Sequence, residues 1–381
     1  MTVPPSVMLV AGEASGDLHG AALCRELRVI APECRLFGMG GARMAAAGMD
    51  LLVDVTSAAV VGGSEALRRV PLLYRAYRRL RAALEGESRP RVLVLIDFPE
   101  FNLRLARAAH RSGVPVVYFI PPQIWAWRGG RIRTIRRAVS LVLAVLPFEL
   151  PLYRRAGVPV EFVGHPLIDA VADAPSRAEA RRELGLDAGV ELVGLLPGSR
   201  REEVERLLPV MREAICRIAV ARPATRFVLG LAPTVARSLV ERLLDGAPRV
   251  LIVASRVHAV MRAADLALVT SGTATLETAL LGTPMIVCYR LSRISGLLAL
   301  LLIRVPWISL ANLVLGRSVV PELHLARATG DRLGAEALRL LADPAARAVQ
   351  SAAFRELSRQ LGEPGVGARA ATFVLSQAGA I

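Results

Sequence analysis

The stretch LVGLLPGSRREEVE, residues 192–205, restricts the fold of this chain more than any other part of it. Its apolar run, 192–196, reads as a buried strand, Pro197-Gly198 as a tight turn, and Arg200 onward as a helix. Ser199 falls where an N-cap belongs, and Glu202 three residues later completes a capping box. A strand running into a capped helix gathers free backbone N–H groups and the positive end of the helix dipole at one point, which suits a phosphate. Gly198, Ser199 and Arg200 are therefore candidate phosphate contacts, and Arg200 and Arg201 can add charge-assisted hydrogen bonds. The same residues would also make an ordinary strand–helix corner with two solvated arginines. A second stretch of the kind, SGTATLE at 271–277, tips the balance towards a ligand. There Ser271, Gly272, Thr273 and Thr275 offer hydroxyls and N–H groups to phosphate or ribose, and Glu277 can accept from sugar hydroxyls.

Around these two points the chain alternates. Short apolar runs at 7–10, 35–37, 91–96, 114–119, 141–145 and 160–163 are separated by helical patterns, which predicts one doubly wound α/β domain. The run 35–37 is expected to end in a glycine-rich turn, 38–44. The alternation restarts with strands at 191–196, 226–230, 249–253, 265–269 and 284–287, with helices at 200–222, 234–244 and 257–263 between them. The stretch from 164 to about 175, GHPLID and a polar tail, reads as the hinge. The expected domains are 1–165 and 166–364, with a last helix, about 365–381, crossing back to the first; 309–323 is expected to be irregular.

In the first half, AGEASGDLHG (11–20) follows the first strand, and its small residues let a ligand approach the backbone. It is not a GxGxxG fingerprint, so no dinucleotide is implied. Glu13, Ser15, Asp17 and His19 are candidate site residues there, although Asp17 equally suits the helix dipole. Asp97 ends an apolar strand in IDFPEFN (96–102), where open α/β sheets bind ligands, and can act as a general base or orient one; Glu100 is its rival. Trp125 and Trp127 stand beside a basic run that begins at Arg128, either as core or flanking a cleft or an acyl chain. His165 can face the cleft or be structural. Residues 64–84 carry leucines at helical spacing interleaved with arginines, so the helix can lie on an anionic membrane or be an arginine-faced surface helix; Pro71 should kink it or mark its start.

The net charge of +15 points to an acidic partner: nucleic acid, an anionic membrane surface or a phosphorylated substrate. Only 4% of residues are aromatic and no RNA-binding signature is present, so nucleic acid is disfavoured. All 48 basic residues are arginine, which excludes Schiff-base, pyridoxal and P-loop-lysine chemistry. The four cysteines are scattered without a CxxC pair, against zinc or a disulfide framework and for a reducing compartment. No secretory signal is evident, and the most apolar later stretch, 296–303, falls short of the ~20 residues of a spanning helix.

Two α/β domains with nucleotide features in the second describe a GT-B glycosyltransferase. The motifs GEASGD (12–17), IDFPEFN (96–102), IWAWR (124–128), LPFE (146–149), GHPL (164–167), LLPGSRREEVE (195–205), SGTATLE (271–277) and YR (289–290) stand in the order and spacing of the lipid-A-disaccharide synthases, which the chain resembles over almost its whole length. The resemblance implies an inverting transferase that joins UDP-2,3-diacylglucosamine to 2,3-diacylglucosamine 1-phosphate, giving a β-1,6-linked disaccharide phosphate and UDP. It implies Asp97 as base, Arg200 on the departing phosphate, and Ser271, Gly272, Thr273, Glu277 and Asn312 on the UDP-sugar side. Glu13, Ser15, Asp17, His19, Trp125, Trp127 and Arg128 are then on the acceptor and lipid side. With no DxD motif, no metal or other cofactor is expected. Peripheral attachment to the cytoplasmic face of the inner membrane follows, and the oligomeric state, a homodimer included, stays open. The chain departs from the family at Ala311, at Leu325 and at Gly63. The rivals are another GT-B enzyme, such as a peptidoglycan GlcNAc transferase or a UDP-GlcNAc epimerase, and a membrane-surface binding module with a degenerate site.

Overall fold

The computed structural model describes residues 5–54, 66–87, 89–125, 130–290 and 306–380. Two wholly parallel sheets organise them. The first has the order β3-β2-β1-β4-β5-β6-β7, from β1 (Ser6–Ala11), β2 (Arg35–Gly40), β3 (Asp50–Asp54), β4 (Val92–Ile96), β5 (Val116–Phe119), β6 (Leu141–Ala144) and β7 (Val160–Phe162). The second has the order β10-β9-β8-β11-β12-β13, from β8 (Leu192–Leu196), β9 (Arg226–Leu231), β10 (Val250–Ala254), β11 (Leu266–Thr270), β12 (Met285–Tyr289) and β13 (Glu322–His324). In each sheet the direction of winding reverses at one place, between β1 and β4 or between β8 and β11. The crevice outside the carboxyl ends of those two strands is where such sheets bind ligands. The fold class is the expected one, two Rossmann-like doubly wound units of the GT-B kind.

The central strands form because their residues are apolar on both faces: all of β4 and β8 is buried. Helices cover them by one stripe each. In the Arg201–Ala221 helix, Val204, Leu207, Leu208, Met211, Ile215 and Ile218 are buried at helical spacing. Arg181 ties the second sheet at its base: its guanidinium donates to the carbonyls of Ala188 (2.6 Å), Val190 (2.9 Å) and Ala263 (3.1 Å) and to Asp265 Oδ2 (2.8 Å). The chain divides into one unit of Met1–Pro166 with Glu363–Ile381 and a second of Leu167–Gly362. The last helix, Val366–Gln377, packs on the Ala14–Ile30 helix of the first unit, where Arg369 Nε donates to the carbonyl of Val163 at 3.0 Å.

Several boundaries differ from the sequence expectation. The glycine-rich turn is half strand: Gly38 and Gly40 belong to β2, and a short helix, Ala42–Ala46, follows. Gly38 has φ of 144°, and a Cβ there would lie 2.1 Å from the Leu9 carbonyl oxygen, so the glycine serves strand contact. The hinge contains a helix, Leu167–Ala172, and a second helix, Arg177–Glu183, capped by Ser176, follows it. The segment after 309 is ordered as a helix, Leu310–Leu315, and the edge strand β13. The basic helix, Ala66–Glu85, runs through Pro71; residues 64–65 and the apolar stretch 296–303 lie outside the described residues. No helix among the described residues is long and apolar enough to cross a membrane.

Candidate active site

The first crevice is built on a tight, left-handed exit from β4. Asp97 and Phe98 have φ of 48° and 45°, a region that costs a non-glycine residue about 1 kcal/mol, so other groups must hold them there. Asn102, fully buried one turn into the next helix, donates its Nδ2 to the carbonyls of Asp97 (2.7 Å) and Ile96 (3.2 Å). The buried Tyr118 hydroxyl, from β5, donates to the same Asp97 carbonyl at 2.8 Å, and burial raises its own pKa well above the usual tyrosine value. Asp97 is thus fixed by its backbone and half-buried at the end of β4. From β1, Gly12 lies beneath the Phe98 ring, where a Cβ would come within 2.1 Å of Cδ1. That contact brings the GEASGD loop against the Asp97 turn.

Beside it, Glu13 and Ser15 are exposed and His19 is half-buried. Asp17 stands in the first turn of the Ala14–Ile30 helix, as the dipole reading expected, and has a further role. It is 6% exposed, and its carboxylate accepts from the N–H groups of Gly41 (2.8 Å), Met44 (3.1 Å) and Arg43 (3.2 Å), so it caps the neighbouring Ala42–Ala46 helix. His165 is buried; burial, and then His19 nearby, lower its pKa to about 3 and keep it neutral. Glu100, the rival base, is paired with Arg131 at the start of the Arg131–Ala138 helix. Trp125 stacks edge-on against Phe148 with centroids 5.0 Å apart, and its Nε1 donates to Glu149 at 3.1 Å. Trp127 and Arg128 lie outside the described residues.

The second crevice joins the turns after β8 and β11. The expected cap is displaced by one residue: Arg200 is the N-cap, the helix begins at Arg201, and Glu203, not Glu202, reaches back. Glu203 Oε2 accepts from the N–H groups of Ser199 and Arg200, both at 3.2 Å, while Oε1 takes the Arg200 guanidinium at 2.8 Å. The amides assigned to a phosphate are therefore engaged by the chain's own carboxylate. What this turn presents outward is the Arg200 side chain, 72% exposed. Gly198 has φ of 120°, and a Cβ on it would strike Glu203 Oε2 at 2.5 Å. The Tyr289 hydroxyl is raised by burial and then by Glu203, which puts the YR motif beside the same turn.

After β11, Gly272 at φ of 140° opens the Thr273–Leu280 helix, with nothing within 4 Å of where its Cβ would stand. Thr273 is exposed; Ser271 is half-buried and donates to the Ile308 carbonyl at 3.0 Å. Thr275 is fully buried and donates to the Gly272 carbonyl at 2.7 Å, so it shapes the turn and does not face a ligand. Glu277, half-buried, stands 3.5 Å from His258. The Asn312 side chain has no hydrogen-bonding capacity left for a nucleotide. Its Nδ2 donates to the Val320 carbonyl (2.9 Å) and Glu322 Oε1 (2.7 Å), and its Oδ1 accepts from Val319 N (2.8 Å) and Val320 N (2.9 Å). With Glu322, which also accepts from the N–H groups of Ile308 and Ser309, it holds residues 307–309 against Ser271.

Sequence reasoning passed over Asn102, Tyr118, Arg131, Glu149, Glu203 and Glu322. Asn102, Glu149 and Glu203 lay inside the motifs already singled out, and their spacing from a strand end was the available signal. Among the described residues no group of three or more His, Cys, Asp or Glu is placed to hold a metal ion.

The lipid-A-disaccharide synthetase family matches residues 7–375. A lipid-A-disaccharide synthase of Geobacter sulfurreducens is 44% identical over 374 residues, covering 98% of this chain and 97% of that one. One from Myxococcus xanthus is 43% identical over 376 residues, 98% of each chain. Among solved structures, a UDP-GlcNAc 2-epimerase of Neisseria meningitidis bound to UDP-GlcNAc superposes with a TM-score of 0.64 at 14% identity, covering 97% of this chain and 98% of the other. A likeness that remote concerns the fold alone.

Proposed function

Because the chain belongs to the lipid-A-disaccharide synthase family, UDP-sugar glycosyltransferases of lipid A biosynthesis, we propose that it joins UDP-2,3-diacylglucosamine to 2,3-diacylglucosamine 1-phosphate with inversion. In this reading Asp97 takes the proton of the acceptor 6-hydroxyl as that oxygen attacks the anomeric carbon of the donor. The bond from that carbon to the diphosphate breaks on the opposite face, giving a β-1,6-linked disaccharide 1-phosphate and UDP. Arg200 meets the charge that develops on the departing diphosphate, and the turn after Ser271 supplies the N–H groups of Gly272 and Thr273 at a helix start. Glu277 accepts from a ribose or sugar hydroxyl. Since Glu203 engages the two amides of the PGSR turn, the guanidinium is the group there assigned to phosphate.

The observation that carries the reading is the turn at Asp97. A carboxylate at the switch point of the first sheet is held in a left-handed conformation by Asn102 and Tyr118. Strain of that kind persists where the surroundings fix one geometry. Attachment to an anionic membrane surface, at the cytoplasmic face of the inner membrane, is supported by the basic helix: Val70, Leu72 and Tyr74 are 60%, 38% and 62% exposed, beside exposed Arg75, Arg78 and Arg79. The decisive experiment measures UDP release from UDP-2,3-diacylglucosamine in detergent micelles, with and without diacylglucosamine 1-phosphate. Acceptor-dependent release with a disaccharide phosphate product is expected. UDP binding without release at any acyl length would favour a binding module.

A further inference from the structure

Among the described residues of the first unit, Glu149 is the most enclosed carboxylate that the proposed reaction leaves unused. It is 1% exposed, at the end of the short turn of helix that follows β6. One oxygen accepts from Trp125 Nε1 at 3.1 Å and the other from the Leu146 amide at 3.3 Å. Trp125 is the last described residue of the loop that leaves β5, and residues 120–125 are braced from the same side twice more. The Tyr153 hydroxyl, from the Leu150–Arg155 helix, lies 3.4 Å from the Pro122 carbonyl, and the Phe148 ring meets Trp125 edge-on. The loop starts at Ile120, itself at a φ of 57°, whose carbonyl accepts from the Asp97 amide at 3.3 Å. A chain of contacts therefore runs from Glu149 through Trp125 and its loop to the turn that carries Asp97.

Resting on the acceptor-side reading of Trp125, we propose that Glu149 is a positioning residue. Its carboxylate fixes the Trp125 indole, and through it the 120–125 loop, so that the acceptor sugar meets Asp97 in register. The ionised form matters because both of its neighbours donate. A carboxylate accepts from the indole and the Leu146 amide together, whereas a carboxylic acid turns a hydroxyl on one of them and forfeits that bond. Burial pushes this carboxyl up to about 7, so the two forms exchange near neutrality. The groups that face it are the Trp125 indole from the loop, the Val145 and Leu146 backbone from the end of β6, and the Tyr153 hydroxyl from the following helix, itself pushed up by burial and by Glu149.

The test compares the full-length enzyme with Glu149→Gln and Trp125→Phe in detergent micelles. Glutamine presents an amide to one donor, as the protonated acid does, and so reproduces the low-pH state at every pH. Intrinsic tryptophan fluorescence of the wild type should shift with a midpoint near pH 7, and both variants should lack that transition. For Glu149→Gln at pH 8, the acceptor KM should rise about tenfold while the donor KM holds, the scale expected of a slightly misplaced reactant. The wild-type acceptor KM should climb towards the variant's value as pH falls to 6. Titration of the acceptor phosphate is common to both proteins and cancels in their ratio. Thermal stability at pH 8 should not fall with the substitution, which separates positioning from a structural role. A fluorescence transition that survives in Glu149→Gln, or equal changes in both KM values, would overturn the proposal. Wild-type enzyme that releases no UDP would instead overturn the reaction on which it rests, while the fluorescence arm still judged the coupling of Glu149 to Trp125.

Discussion

At the scale of single residues, groups proposed to face a ligand differ from groups that hold them in place. Asp97 belongs to the first kind, with its backbone carbonyl held by Asn102 and Tyr118. Asp97→Asn should keep the fold and UDP binding and lose activity by about 100-fold or more, the usual worth of a general base. Near-normal turnover in that variant would place the base elsewhere, with Glu100, His19 and Glu13 next to try. Asn312 belongs to the second kind. Asn312→Ala should lower thermal stability and weaken UDP binding together, by an order of magnitude in Kd (about 1.4 kcal/mol), because it frees residues 307–309 and with them Ser271. Unchanged stability with lost UDP affinity would return Asn312 to direct contact. His165 gives a pH signature. Its pKa is lowered from 6.5 to about 3, so the folded protein binds fewer protons than the unfolded chain across that interval. Its stabilising contribution is complete above pH 6.5 and is lost as pH falls towards 3, by about 1.4 kcal/mol per unit. Denaturant unfolding of His165→Asn should show a flatter acid limb than the wild type.

At the scale of elements, alternation was legible and anchoring was not. Short runs buried on both faces, such as β4 and β8, announce a parallel sheet by composition alone, and the reversal of winding follows from their order. What sequence spacing could not give is the partner across the fold. Asp17 was read against its own helix, in whose first turn it does stand; the helix that it also caps begins 25 residues later, at Ala42. Glu149 and Trp125 are 24 positions apart and meet only once β5 and β6 are paired. The PGSR turn was placed correctly but filled wrongly, since two adjacent glutamates compete for one capping position and only three-dimensional reach selects Glu203. Asp17→Asn tests the capping role. It removes one acceptor from three backbone donors and should cost about 2 kcal/mol in denaturant unfolding, before any effect on turnover is considered.

At the scale of the whole molecule, the charge of +15 is spread over arginines that mostly serve the surface, and the fold sets its catalytic candidates at the switch point of each sheet. The two units divide between Pro166 and Leu167, within the GHPLID stretch, and the return of the chain rests on one terminal helix. That helix buries Val366, Val374 and Leu375 completely, a contribution of about 5 kcal/mol, comparable with the net stability of a domain. A chain ended at Gly362 should therefore lose a cooperative unfolding transition and its activity, although the deleted residues contain no candidate for contact with substrate. Calorimetry that kept every transition would refute this.

The same helix sets the order in which the protein can mature. Domains emerging from the ribosome usually fold from the N-terminus onward. Here the second unit is one uninterrupted stretch, Leu167–Gly362, and has all its parts while Val366–Gln377 is still in the exit tunnel. The first unit, synthesised earliest, waits for Val366–Gln377 before the Ala14–Ile30 helix is covered. The sheet that carries Asp97 thus reaches its final form only after the whole of the second unit has been made.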